Sequence, residues 1–95
     1  MTYEWDETKR QKNIEKHGYD LKRGMSVYEA PDKLTLDSHR PDEQRRCDVA
    51  LIDGELMALT LAYTLRGEAV RLISLRKASS KERRLYYEQN SENDL

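Results

Sequence analysis

The sequence has no phenylalanine, one tryptophan, one cysteine, two prolines and four glycines in 95 residues. Each shortage excludes something. A lone Cys47 forbids an internal disulfide, so no covalent staple holds the fold. His17, His39 and that cysteine show none of the spacings of a structural metal site, and neither metal nor cofactor is expected. No apolar run approaches the roughly 20 residues that span a bilayer, and the N-terminus lacks a signal peptide's apolar stretch. The expectation is a soluble, cytoplasmic chain with no membrane partner. Hydrophobic and charged residues each make up 37%, so the core of this one small domain must come from a few strongly patterned segments.

What the chain does have is charge, unevenly spread. Residues 28–64 hold eight acids against four bases. Residues 70–87, VRLISLRKASSKERRLYY, hold six bases (Arg71, Arg76, Lys77, Lys81, Arg83, Arg84) against Glu82, a local charge of +5 in a chain of net charge -1. A positive field concentrated in this way points to an anionic partner, phosphate first. The plainer alternative is a solvated helix face balanced by acids elsewhere.

Local signals divide the chain. Tyr3-Glu4-Trp5 reads as an edge strand or an anchor. Asp6 fits a helix N-cap with Glu7 at the positive end of the dipole, and Gly18 supplies a left-handed stop after His17. Arg10, Asn13, Ile14 and His17 share one face of this polar helix, which must be pinned by Trp5 and Ile14 or by a partner. Asp20 opens a shorter helix with Leu21, Gly24, Met25 and Tyr28 in one stripe, and Pro31 ends it. Residues 33–37 alternate as a strand, and 38–44 read as a polar loop. Residues 45–52 and 55–64 read as strands joined by Asp53-Gly54, a two-residue type I′ hairpin signal. Arg66-Gly67-Glu68 makes a three-residue loop into a strand over 70–77. Ser79 and Glu82 fit a capping box, starting a helix that reaches about Gln89. Residues 90–95 read as a disordered tail. The expected class is α+β: a small antiparallel sheet of about four strands, two N-terminal helices and one C-terminal helix, in one domain of residues 1–89.

Tight turns would set Cys47 opposite Thr60 and Thr60 opposite Ser74. Alternation then sends Met57, Leu59, Leu61, Ile73 and Leu75 to a helix-bearing face. Arg45, Cys47, Ala58, Thr60, Ala62, Ser74 and Arg76 go to a small, polar face, with Arg71 on the side away from it. Such a cationic floor suits a phosphodiester, which arginine grips with two parallel charge-assisted bonds. RNA cleavage then needs attack by the 2′-hydroxyl, a base, an acid, and fixed cations to stabilise the phosphorane. Arg45, Arg71 and Arg76 are the candidates for phosphate; His17, Glu82 and Tyr86 are the candidates for moving protons. Ser74, Lys77, Lys81 and Arg83 are placed to hold RNA. Each has a structural reading beside it. His17 serves as a cation at a helix C-terminus, Glu82 as a capping residue, Tyr86 and Tyr87 as packing, Cys47 as core. Arg71 and Arg76 would pair with Asp48 or Glu82, and Lys9 to Lys16 would be a solvated face.

The motifs also resemble a known family. Glu4-Trp5-Asp6, Lys9, Asn13, Lys16-His17-Gly18, the Arg45 segment, Asp53-Gly54, Tyr63-Thr64 and Arg66-Gly67 occur in the order seen in BrnT-type toxins. The run from Arg71 to Ala78, with Glu82-Arg83 and Tyr86, is similar to that family's C-terminal signature, although Leu75 stands where a small alanine is usual. The resemblance covers residues 3–88. It implies a RelE-like fold and an endoribonuclease toxin of a type II toxin–antitoxin pair that halts translation. It further implies a BrnA-like ribbon-helix-helix antitoxin as partner, with operator DNA reached only through that antitoxin. The positions matching the signatures are His17, Arg45, Arg71, Ser74, Arg76, Lys77, Glu82 and Tyr86. A catalytically silent module, kept for antitoxin binding and operon repression, is the alternative.

Overall fold

A computed structural model describes residues 1–37 and 44–91. Its elements are β1 (Thr2–Glu4), α1 (Glu7–His17), a 3-10 turn (Leu21–Arg23), α2 (Gly24–Glu29), β2 (Leu34–Asp37), β3 (Arg45–Ala50), β4 (Leu59–Arg66), β5 (Ala69–Lys77) and α3 (Ser80–Ser91). The strands form one sheet in the order β1-β5-β4-β3-β2. β1 runs parallel to β5 and every other pair is antiparallel. The fold class is α+β as expected, but the sheet is mixed and has five strands rather than about four antiparallel ones. The added strand is Thr2–Glu4, whose parallel pairing requires the long crossover that the intervening chain provides.

α1 forms where its caps place it. The Asp6 side chain accepts from the Thr8 and Lys9 N–H groups, and Gly18 closes the helix at φ 80°, a conformation costly for any residue with a Cβ. What pins the helix differs from expectation. Ile14 is 38% exposed, and Asn13 is the buried residue. β1 stops opposite Arg71, which leaves the next stretch of the β5 edge open. The Asn13 amide fills it, donating to Leu75 O at 2.9 Å and accepting from Leu75 N at 3.1 Å. One side chain thus continues the ladder and spares two backbone groups from burial without partners. Arg10 adds two bonds to Asp20, at 2.9 and 3.0 Å.

α2 presses so closely on β4 that a Cβ on Gly24 would lie 2.6 Å from Leu61 Cδ1. Leu21, Val27, Leu59, Leu61, Val70, Leu72 and Leu75 are fully or almost fully buried. Each contributes roughly 1.5–3 kcal/mol by leaving water. A polar network is buried on the same side. Asp48, with no exposed surface, accepts from Thr35 Oγ1 at 2.7 Å and from the Tyr63 hydroxyl at 3.0 Å. Lys33 Nζ lies 2.8 Å from its other oxygen, outside hydrogen-bond geometry, and 3.9 Å from the centre of the Tyr28 ring.

The hairpins depart from expectation. Asp53-Gly54 is not a two-residue connection: β3 ends at Ala50 and β4 begins at Leu59. Only Gly54 has positive φ, at 87°, whereas type I′ requires it at both central positions. The turn between Ile52 and Glu55 therefore sits outside the ladder, and Leu56 is left 97% exposed. The next turn is tighter than expected, because Arg66 pairs directly with Ala69. α3 runs on to Ser91, with Asn90 donating to Asp32 O at 3.2 Å, so the tail does not begin at 90. The remaining tail, 92–95, and most of the expected loop, 38–43, lie outside the described residues.

Candidate active site

The ladder pairings sort the two faces of the sheet. Cys47 pairs with Ala62 and Thr60 with Arg76, each two positions from the expected partner, so alternation up to Ser74 is unchanged. A β-bulge then intervenes: Ala62 pairs with Ser74 but Tyr63 with Leu72, leaving Ile73 unpaired. An extra residue reverses alternation beyond it. Val70 and Leu72 join Leu75 in the core, and Arg71 moves to the face of Ser74 and Arg76. The expectation that Arg71 lies opposite them is corrected, for this reason.

The polar face now reads as three rows across strands about 4.8 Å apart. The first is Glu4–Arg71–Thr64–Arg45, the second Ser74–Ala62–Cys47, and the third Arg76–Thr60–Val49. The small middle row forms a trough with Arg45 and Arg71 along one side and Arg76 along the other. α1, the 3-10 turn and α2 lie against the apolar face, while α3 crosses the polar face over β2 and β3. Under α3 opens a pocket of about 610 Å³ lined by Arg45, Cys47, Leu36, Glu82, Lys81 and Leu85, among others.

Arg76 and Glu82 form the most constrained pair of this face. The guanidinium donates to Glu82 Oε1 at 2.8 Å and Oε2 at 3.0 Å. The same carboxylate accepts from Thr60 Oγ1 at 3.0 Å and from Ser79 N at 2.7 Å, while Glu82 N donates to Ser79 Oγ at 3.1 Å. The capping box read from the sequence is therefore present, and it also fixes the ion pair. Burial pushes the Glu82 carboxyl up. The Arg76 bonds, the Ser79 N–H, the Arg76 charge and the Thr60 hydroxyl together outweigh it and hold the group at about 2. The Arg76 pKa is raised in turn, first by its hydrogen bond to Glu82. Glu82 is thus an ionised anchor with its lone pairs occupied.

The other sequence candidates separate. Arg45 is exposed at the trough, and half-buried Arg71 lies 3.6 Å from Glu4. Ser74 sits in the floor. Lys77 ends β5 exposed, and Lys81 stands exposed on the pocket rim. Arg83 folds back on the β5–α3 joint, donating to Ala78 O at 2.6 Å and to Ser80 Oγ at 3.3 Å. Tyr86 is buried away from the trough, its hydroxyl donating to Asp32 at 2.6 Å; burial and that carboxylate raise its pKa. His17 is half-buried in the last turn of α1, on the inward arc shared with Arg10 and Asn13. The structure therefore brings together Arg45, Arg71, Ser74, Arg76 and Glu82, with Lys81 at the rim. Tyr86 is turned to Asp32 instead, and His17 makes no hydrogen bond or ion pair with the group among the described residues. Cys47 lies in the floor, where burial foremost raises its thiol pKa. Thr60 and Thr64 complete the site. Alternation already set Thr60 on this face and could have added Thr64, but only the pairing shows what they touch.

Among curated proteins no relative matches this sequence. Among solved structures, the crystal structure of the Brucella abortus ribonuclease toxin BrnT is similar, with a TM-score of 0.67 and 27% identity, covering 84% of this chain and 100% of that one. The family described as the ribonuclease toxin, BrnT, of type II toxin–antitoxin systems matches residues 5–82, nearly the whole of the sheet and the first turn of α3. The chain belongs to that BrnT family of ribonuclease toxins.

Proposed function

We propose that this protein is a metal-independent endoribonuclease toxin that inhibits translation and is neutralised by a BrnA-like ribbon-helix-helix antitoxin. The observation that carries this reading is the placement of Arg45, Arg71 and Arg76 around the small Ser74–Ala62–Cys47 row. An RNA phosphate settled on that row meets guanidiniums from both sides. Charge that builds on the phosphorane is stabilised by groups already fixed in place, the largest contribution of such sites. Arg76 is held in orientation by Glu82, and Ser74 and Thr64 offer hydroxyl donors to the phosphate oxygens. The Glu82 carboxylate is bonded to Arg76, Thr60 and Ser79 and, at about 2, is too weakly basic, while Tyr86 is tied to Asp32. Removal of the 2′-hydroxyl proton therefore falls to water or hydroxide in the open trough, and the departing 5′-oxygen takes its proton from water there. The rate should therefore rise with pH from about 6 to about 9 instead of following a bell.

The direct test is cleavage of single-stranded RNA by purified protein in EDTA, with Arg45→Ala and Arg76→Ala compared for cleavage and growth arrest. Loss in both variants is expected; growth arrest unchanged in both would remove the site. One observation favours the second reading, a silent module acting in antitoxin binding and operon repression. Arg76 and Arg71 are already paired with Glu82 and Glu4. On that reading no RNA is cleaved while antitoxin still binds.

A further inference from the structure

α1 carries a flank of lysines that the trough does not use. At 3.6 residues per turn, Lys9, Lys12 and Lys16 fall within an arc of roughly 60°. All three are exposed, and none takes part in an ion pair among the described residues. By contrast Arg10, Arg23, Arg71 and Arg76 are each paired.

The tertiary contacts decide which way that flank looks. Asn13 points inward, at the β5 edge. To one side of it, Arg10 reaches Asp20, and Glu7 accepts from Trp5 Nε1 at 3.1 Å beneath Lys22; these contacts lie on the apolar face with the 3-10 turn. The lysines lie on the other side of Asn13, toward the polar face. Asp6 marks the junction: its carboxyl is held low first by the Lys9 N–H, with the Thr8 N–H and the charges of Lys9 and Arg71 adding. Lys9 and Arg71 thus both approach Asp6, at the edge of the trough where Glu4 pairs with Arg71.

We infer that Lys9, Lys12 and Lys16 form the second wall of the RNA groove, opposite α3, and hold phosphates flanking the cleaved one. This rests on the reading of the trough as an RNA site. Because α1 runs in the same direction as β5, the lysine row follows the trough lengthwise. Single-stranded RNA can then lie along the strands with its backbone toward α1 and a base toward the pocket under α3. Lysine suits such a wall because it supplies mobile point charges for successive phosphates, whereas the paired arginines below it are fixed.

The test is a variant with Lys9→Gln, Lys12→Gln and Lys16→Gln, at exposed positions where glutamine keeps helix propensity. Lys22→Gln, on the apolar face, is the matched control. Binding of a labelled single-stranded RNA is measured against salt, and cleavage kinetics separately. Three lost phosphate contacts should reduce the slope of log K against log salt by about 2 and raise KM about tenfold, with kcat kept. The control should match wild type. If wild type binds RNA and the triple variant binds it with the same slope, the wall is refuted while the trough stands. If the triple variant keeps RNA binding but loses antitoxin binding, the flank is a protein interface and the inference is overturned. If wild type neither binds nor cleaves RNA, both the inference and the reading beneath it fall.

Discussion

The two faces of the sheet bury charge in opposite ways. On the helix-covered face, Asp48 is fully buried, bonded to Thr35 and Tyr63 and paired with Lys33. On the other face, the Glu82 side chain is 15% exposed, and the arginines it borders stay open to solvent on one side. In the first arrangement the carboxylate is sealed from solvent, and its one oxygen without a hydrogen bond, Asp48 Oδ2, faces the Lys33 ammonium at 2.8 Å. The second leaves guanidinium edges facing a trough of small side chains. What distinguishes the second face is that its charges stay open to solvent, Arg45 exposed and Arg76 half-buried, whereas Asp48 is closed off.

The sharpest way to break the contrast is to insert one alanine between Ala62 and Tyr63, giving Ile73 a partner on β4. Without the bulge, Val70 and Leu72 would turn to the polar face and Arg71 to the core. The expected outcome is loss of the folded state, seen as loss of cooperative melting; a stable, active insertion variant would contradict the pairing described. Next in size is Asp48→Ala, which leaves Lys33 unpaired and Tyr63 without its acceptor. Denaturant unfolding should show a loss of about 3–5 kcal/mol, with kcat unchanged wherever the protein is folded. Arg45→Ala should do the opposite: a melting temperature within error of wild type, and RNA cleavage lower by about 10²-fold.

Acid sharpens the comparison further. Glu82 is held at about 2 when folded, against an ordinary value of 4.5. Because the folded pKa is the lower one, the Arg76–Glu82 contribution is fully present above about pH 4.5 and is lost as pH falls toward 2. Glu82→Gln should flatten stability over that window, and acid titration by circular dichroism of both proteins would reveal it. The smallest effect is expected for Arg71→Gln. Its pair with Glu4 is partly exposed, so stability should change by less than about 1 kcal/mol. Cleavage should still fall severalfold, and an unchanged rate would return Arg71 to a structural role.

Much of this was legible from local chemistry. Asp6, Gly18, Asp20 and the Ser79–Glu82 box predict helix ends because each acts on backbone groups a few residues away. The alternation of Arg45, Cys47, Thr60, Ala62, Ser74 and Arg76 survived a two-residue shift of pairing, since side chains repeat every two residues. Other features were not legible. Asp53-Gly54 carries a hairpin signal, yet the adjoining residues leave the ladder, and a dipeptide cannot report where its flanking strands stop pairing. Ile14 looked like the anchor of α1 because it is apolar. Asn13 holds that place because the β5 edge offered a free N–H and C=O that only an amide could meet.

The sequence by itself determined the order of the helices and of the strands from Leu34 onward, the caps, and the cationic stretch over 70–87, all set by interactions along the chain. Tertiary structure alone decided that Arg71 joins Arg76 and that Glu82 is an anchor. It also set the lysines of α1 beside the trough. The physical reason is the same in each case. A bulge, an ion pair between strand and helix, and the roll of a helix on a sheet edge depend on groups distant in sequence, and no local pattern encodes their register.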